Sequence, residues 1–470
     1  MVAKQVLGKD GFKPNKTPID DLIGDKVLLR FTTTNGAYGE GVVHFKPPTS
    51  IEDLLGSIFT ILSSIVRRFA RPAQPGVSRA VINTYGIPNT NEKDEDGFRI
   101  CPDIVVQAAG PSFTIPVQAD SKRTGVRPSL NFGFSNRASH VSVRLESEVG
   151  AEKEIIDEHE SYARIIFAKQ PNRLYVRSLV VSESYARLVH FDRSGAQISP
   201  PFNIHNYPET LVRLVVGLSS VDECLVGLDD SVRRADLAGG TTNGTLKTMS
   251  PGGEVKPYDI VEELPTNADP FRGRATSCWR VKDPETAEEY VVKDSWQTED
   301  VVPERELLKL VKGVPGVVQM VSDELGRGET KDFRCPSTVL QYKNRIASRI
   351  MMKLYGKSIV FFKSLLQFLS AIRDAVAAHQ RIGADDIRIL HRDISHNNVL
   401  LGKDGAPEGD RGVLIDLDLA FKATDENPLP LANYHLGPRL FQSRYVLYSR
   451  LIPQKHDYLD DLESFFYLPP

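Results

Sequence analysis

The sequence predicts an α+β chain in two parts. An N-terminal α+β accessory domain covers residues 1–237. After a connection at 238–257 comes a two-lobed domain, with a small lobe at 258–356 and a partial large lobe at 357–470. Three observations lead there. A length of 470 residues suggests about two to four domains. Composition shifts at 238–257, where Gly239-Gly240-Thr241-Thr242-Asn243-Gly244 and Ser250-Pro251-Gly252-Gly253 read as a linker or exposed loop. Finally, Ile389 to Leu401 sets a polar loop between two short apolar strands, with His391, Arg392, Asp393 and Asn398 at fixed offsets.

Composition excludes several classes. A net charge of -3 gives no reason to expect a nucleic-acid partner. Cys101, Cys224, Cys278 and Cys335 are scattered with no C-x-x-C pair, which argues against a zinc site or a disulfide framework. That usage suits a reducing, intracellular setting, cytoplasmic or nuclear. Met1 to Asp10 is polar, so no secretory signal is expected. Within Ile51 to Ala70 the uncharged part, Leu54 to Val66, is shorter than the roughly 20 residues that span a bilayer. A buried helix is expected there and no membrane partner, with Thr49-x-x-Glu52 as capping box and Arg67-Arg68 at its positive-preferring end.

In the first part, Lys26 to Thr34 is strand-like, and Gly41 to Phe45 could return after the Asn35-Gly36 turn. Asn89 to Asp96 reads as a loop, Asp103 to Gln107 as a buried strand entered through Pro102, and 120–140 as an irregular connection. Glu152 to Lys169 reads as a helix, Arg173 to Ser182 and Tyr185 to Phe191 as strands, and Pro208 to Ser219 as another helix. Pro102-Asp103 with the later Glu146-Ser147-Glu148 faintly suggests a nuclease arrangement. The lysine that chemistry needs is absent, so the reading is a structural domain.

In the second part, Phe271 to Thr276 precedes the strand-like Cys278 to Val281 and takes the place of a phosphate-covering loop. It has one glycine, Gly273. Tyr290-Val291-Val292-Lys293 is a strand ending in a lysine placed for the α/β-phosphates. Pro303 starts a helix on which Glu304 is the chosen partner of Lys293 and Glu306 the alternative; the two point about 200° apart, so one alone can face the site. Gly316 to Val321 and Arg349 to Leu354 read as strands, Tyr355-Gly356 as a hinge, and Phe361 to Arg381 as a long helix. Asp393 to Asn398 has the spacing of a protein-kinase catalytic loop, and Gly412 to Ala420 is an apolar strand running into Asp416. Asp393 would orient the attacking hydroxyl, while Asn398 and Asp416 would hold Mg²⁺. His391 is expected to bond backbone. Arg392 is expected to be free for a phosphate on the activation segment, where Thr424 and Ser443 are candidates.

Together Gly273-Arg274-Ala275-Thr276, Val292-Lys293-Asp294-Ser295-Trp296, His391-Arg392-Asp393-Ile394-Ser395, Leu414 to Ala420 and Asp461 to Tyr467 resemble the fungal-type protein kinase family. Phe191 to Gly195 and Leu211 to Asp229 look like the region that family carries before its kinase domain, so the resemblance runs from about residue 100 onward. It implies a bilobal protein-kinase-like fold, ATP and Mg²⁺, and phosphoryl transfer to Ser/Thr hydroxyls of a protein substrate. A pseudokinase or nucleotide-binding module and a small-molecule phosphotransferase are the alternatives.

Three departures bear on activity. Asp416-Leu417-Asp418 stands where Asp-Phe-Gly is usual, and Asp418 would resist a backbone flip that Gly permits. Pro438 and Tyr445 take the places of an expected Thr and Glu near the end of the activation segment. Asp461 to Tyr467 reads as the start of a long helix that Leu468-Pro469-Pro470 cannot continue, so the large lobe is expected to lack its last helices.

Overall fold

A computed structural model describes residues 50–70, 75–86, 101–114, 133–234, 244–266, 269, 271, 273–334 and 342–468. The expected strands at 26–34 and 41–45 and the loop at 89–96 lie outside them. Helix α1 (Ile51–Phe69) is followed by β1 (Ser78–Asn83), β2 (Ile104–Ala109), β3 (Arg137–Val143), α2 (Glu152–Lys169), β4 (Tyr175–Val181), β5 (Tyr185–Asp192), β6 (Gly195–Ile198), β7 (Phe202–Asn203) and α3 (Pro208–Leu218). The strands form one sheet in the order β1-β2-β3-β4-β5-β6, with β7 beside β5. Neighbours are antiparallel except β3 and β4, which run parallel because α2 carries the chain back between them. Both faces are covered. Leu179 and Val181 of β4 join Leu54, Ile58, Ile65, Leu211 and Val215 of α1 and α3, whereas Val176 and Val180 join Ile155, Ile166 and Phe167 of α2.

The second sheet has the order β13-β14-β12-β11-β10-β9-β8, from β8 (Val232–Arg233), β9 (Thr245–Met249), β10 (Val255–Leu264), β11 (Ser277–Lys282), β12 (Glu289–Thr298), β13 (Met320–Glu324) and β14 (Arg345–Lys353). Helix α4 (Glu304–Leu310) follows β12. The larger lobe carries α5 (Leu365–Gly383), β15 (Ile389–Leu390), the hairpin β16 (Val399–Leu401) with β17 (Gly412–Leu414), β18 (Phe421–Lys422), and the helices α6 (Arg444–Tyr448) and α7 (Tyr458–Phe466). A shared apolar cluster joins the lobes. Leu307, Leu308 and Val311 from α4 and its end meet Phe368, Ala371 and Ala375 of α5, with Val399 and Leu414 beneath. The fold is bilobal and kinase-like.

Several expectations need correcting. The stretch 120–140 was expected to be irregular, yet Arg137–Val143 is a strand with all seven residues buried. Arg137, Ser139, His140 and Ser142 break its apolar run, and both sheet faces are covered, so alternation never shows. In the supposed connection at 238–257, Thr245–Met249 and the start of Val255–Leu264 are paired strands. Gly316 to Val318 is a crossing between lobes: Gly316 N donates to Asp410 Oδ1 and Val318 N to Leu414 O, so the strand begins later, at Met320. Helix α5 starts at Leu365, because the Ser364 hydroxyl caps it by accepting from Gln367 N. The cap of α1 is Ser50, which accepts from Asp53 N; Thr49, the expected cap, lies outside the described residues. Among the described residues no helix is long and apolar enough to cross a membrane.

Candidate active site

Lys293 sits on the interior strand β12, paired with Cys278 of β11 on one side and Ile350 of β14 on the other. Tyr290 and Val292 pack on one sheet face, so strand alternation sends Lys293 to the opposite face, toward the cleft. Its Nζ donates to Glu304 Oε2 at 2.8 Å and to Asp416 Oδ1 at 2.7 Å, and lies 2.8 Å from Asp418 Oδ2. Glu304 opens α4, and its other oxygen accepts Leu417 N at 3.0 Å. Glu306 points away and pairs with Arg305 and Lys309. The helical offset therefore separates the two glutamates as expected.

Asp416 follows β17 in a left-handed conformation, φ 65°. Burial works against its charge, but Lys293 overrides that and holds its pKa below the usual carboxylate range. Burial likewise opposes the Lys293 charge, yet Asp416, Asp418 and Glu304 raise its pKa well above an ordinary lysine's. Glu304 moves the other way, pushed up by burial and by Asp418 despite the lysine.

The loop between β15 and β16 is fixed from below. Asp461 of α7 is buried and accepts His391 N at 2.9 Å, Arg392 N at 3.0 Å, His379 Nε2 at 2.9 Å and His456 Nε2 at 3.0 Å. His391 Nε2 reaches Ile415 O at 3.0 Å, a backbone contact as anticipated. Arg392 has φ 67°, and its guanidinium reaches Leu431 O at 3.5 Å. Asn398 Nδ2 donates to Asp393 O and Asp393 Oδ2, each at 2.8 Å. Asn398 O accepts Ile415 N, so the β16–β17 hairpin brings Asn398 alongside Asp416.

Asp393 Oδ1 is buried without a hydrogen-bond partner. Burial, with the Asp416 charge, pushes the Asp393 carboxyl up to about 7, against the Asn398 hydrogen bond. Gly437, φ 76°, packs against it; a Cβ there would stand 2.6 Å from Asp393 Oδ1, so only glycine allows this approach.

Around Asp393 the segment 430–444 is held by local bonds. Gln442 Nε2 donates to Tyr434 O and Leu436 O, Arg444 N to Glu463 Oε1, and the Ser443 hydroxyl to Asp460 Oδ1. Ser443 is buried, which corrects its reading as a candidate phosphosite; Thr424 is exposed. Tyr445, in the expected Glu place, is exposed.

Sequence reasoning missed three contributors. Asp418 is buried between Lys293, Gln297 Nε2 (3.0 Å to Oδ1) and Arg274 Nε (3.4 Å to Oδ2). Arg274 enters from the loop holding Gly273, whose φ of 74° needs glycine. Asp461 is the third. The Asp-x-Asp spacing was the available signal for Asp418, and Asp461 stood in the quoted Asp461 to Tyr467 motif.

Oxygens of Glu304, Asp416 and Asp418 lie within 4.8 Å of one another. Asn398, whose backbone O accepts Ile415 N beside Asp416, carries an amide oxygen on its side chain. All three carboxylates pair with Lys293 Nζ; as oxygen donors they are of the type Mg²⁺ takes, alongside waters and phosphate ligands. In the first unit, by contrast, Arg144 bridges Asp103 Oδ2 (3.1 Å) and Glu158 Oε1 (2.6 Å), while Glu146 accepts Ser184 N. A fixed guanidinium thus stands between the carboxylates.

The family model described as fungal protein kinase matches residues 133–334 and 326–468. The chain belongs to the fungal protein kinase family. Among solved structures it is similar to the PK-1 kinase of Cydia pomonella granulovirus, with 16% identity and a TM-score of 0.30 over 44% of this chain. The match spans 65% of that viral kinase. No curated protein matches the chain.

Proposed function

We propose that this member of the family transfers the γ-phosphoryl group of ATP, with Mg²⁺, to Ser or Thr hydroxyls of a protein substrate. One observation carries the reading: a buried carboxylate oxygen without a hydrogen-bond partner, Asp393 Oδ1, on a loop whose Asn398 pairs with Ile415, next to Asp416 of the Asp416–Lys293–Glu304 cluster. Asp393 accepts or orients the proton of the attacking hydroxyl, and Asn398 holds its carboxylate in place. Asp416 and Asn398 would hold Mg²⁺, and Lys293, fixed by Glu304, would hold the α/β-phosphates. When bound, the metal neutralises charge on the transferring phosphates. The transition state is loose, so positioning supplies most of the acceleration.

The test is transfer of radiolabelled phosphate from ATP by the chain, its Asp393→Asn form and its Asp416→Asn form. Both substitutions should abolish transfer, and the labelled product should contain phosphoserine or phosphothreonine. Transfer by both variants at the parent rate would overturn the assignment. Label on a small molecule alone would favour the small-molecule reading, and nucleotide binding without transfer the binding-module reading.

A further inference from the structure

The loop between β10 and β11 is held by the first unit rather than by its own glycines. Phe271 leaves the second sheet and enters the α2-side core of the first. It is 5% exposed, stacks on Phe167 with ring centroids 5.7 Å apart, and meets Phe191 edge-on at 5.9 Å. Asp269 Oδ1 accepts Phe271 N at 2.8 Å, and its Oδ2 accepts Arg164 Nη1 of α2 at 3.0 Å. Three residues after Phe271 the chain returns to the kinase cleft. Arg274 O accepts Trp296 N at 2.8 Å, and buried Ala275 packs with Trp296 and Ala347. Between these two anchors the Arg274 side chain is delivered to Asp418, with Nε 3.4 Å from Oδ2. Lys293 Nζ is 2.8 Å from the same oxygen. Two cations, one from the loop and one from β12, therefore face one carboxylate of the site.

A loop with a single glycine cannot offer the closely approaching backbone donors of a three-glycine loop. A guanidinium can replace them, because its planar fork of donors matches phosphate oxygens. We propose that Arg274 is the phosphate-contacting side chain of this loop, binding the phosphates of a nucleoside triphosphate, and that the first unit positions it through Phe271. This rests on the nucleotide reading above. In it Asp418 shares Lys293 and Arg274 and holds the guanidinium in the cleft. Phe271 touches no substrate; its role is to fix where Arg274 starts.

The experiment is calorimetric titration of the full chain with magnesium-ATP and with adenosine. Variants are Arg274→Ala, Arg274→Lys, Phe271→Ala, Phe271→Leu and the double alanine form. A charge-assisted contact predicts that Arg274→Ala weakens ATP binding by about tenfold or more while adenosine binding changes less than about twofold. Arg274→Lys should recover part of the loss. Phe271→Ala should show the same ATP-selective loss, Phe271→Leu should restore it, and the double variant should bind no worse than Arg274→Ala. ATP binding at the parent level by Arg274→Ala overturns the proposal and leaves the nucleotide reading standing. Equal loss of ATP and adenosine in Phe271→Leu would make Phe271 a folding residue only and overturn its positioning role. A parent chain that binds neither ligand removes the nucleotide reading, and this proposal with it.

Discussion

Asp393 is pulled two ways. Burial and the nearby Asp416 charge disfavour its ionised form, while Asn398 favours it, and the balance lies at about 7. A proton acceptor must be ionised, so kcat/KM for transfer should rise with pH and level off above about 7, because that parameter reports the free protein. A flat profile between pH 5.5 and 8 would count against Asp393 as the acceptor. Gly437 gives a second test at this scale. Gly437→Ala would force a methyl against Asp393 Oδ1, and the strain at φ 76° adds to that. Transfer should fall at least about tenfold with ATP affinity retained, measured as kcat against KM. The meetings of Lys293 with Glu304 and Asp416, and of Asp393 with Asn398, follow from residues at fixed offsets in a short strand, turn or helix start. Asp418 and Arg274 were not assigned, since their meeting depends on how β12, the β10–β11 loop and the β17 end converge.

At the scale of elements, α7 works as a post beneath the loop between β15 and β16. One buried carboxylate, Asp461, accepts two backbone N–H groups and two imidazoles. Removing one partner of such a buried, satisfied network costs about 3–5 kcal/mol, so Asp461→Ala should lower unfolding free energy by that order in denaturant titration. The sign with pH follows from its pKa. Burial opposes the charge, but the His379 and His456 hydrogen bonds dominate and the pKa lies below the usual carboxylate range. Its contribution is therefore present above the unfolded value of about 3.9 and is lost as pH falls toward the folded one. The stability gap between parent and Asp461→Asn should narrow below about pH 4; an unchanged gap there would refute the linkage. Helix α2 matched its sequence reading to the residue, since its periodic apolar side is framed by polar ends. Strand β3 was invisible because it lies between two neighbours with both sheet faces covered, so its buried Arg137, Ser139, His140 and Ser142 interrupt any apolar run.

For the whole molecule, buried arginines from the small lobe tie it to the first unit. Arg334 forks onto Asp192 with both bonds at 2.6 Å, and Asp192 also meets His190 at 3.0 Å. Arg349 is fully buried. It forks onto Asp294 of its own sheet and reaches Ser231 Oγ at 2.9 Å and Asp229 at 3.5 Å. Breaking a buried pair on one side leaves an uncompensated charge, so Arg334→Ala should cost about 3–5 kcal/mol and should split a single thermal transition into two. A single transition at the parent midpoint would mean that the pair is not what couples the units. This coupling could not be read from sequence. Asp192 stands in the polar run Asp192-Arg193-Ser194-Gly195, and nothing near Arg334 in the sequence announces its partner.

One detail of the second sheet bears on how the protein can be cut. Its outer strand, Val232–Arg233, comes from upstream of the glycine-rich stretch, and β9 lies within that stretch. Val232 and Leu246 complete the cluster around Tyr258 and Trp279. A fragment begun at residue 258, where composition invites the cut, would bare the long edge of β10 and open that cluster. Bare edges recruit other edges. Such a fragment should self-associate in light scattering, whereas one begun at Asp229 keeps its border strands and should associate less. The boundary that matters for handling this protein is therefore drawn by strand pairing, upstream of where the glycines are.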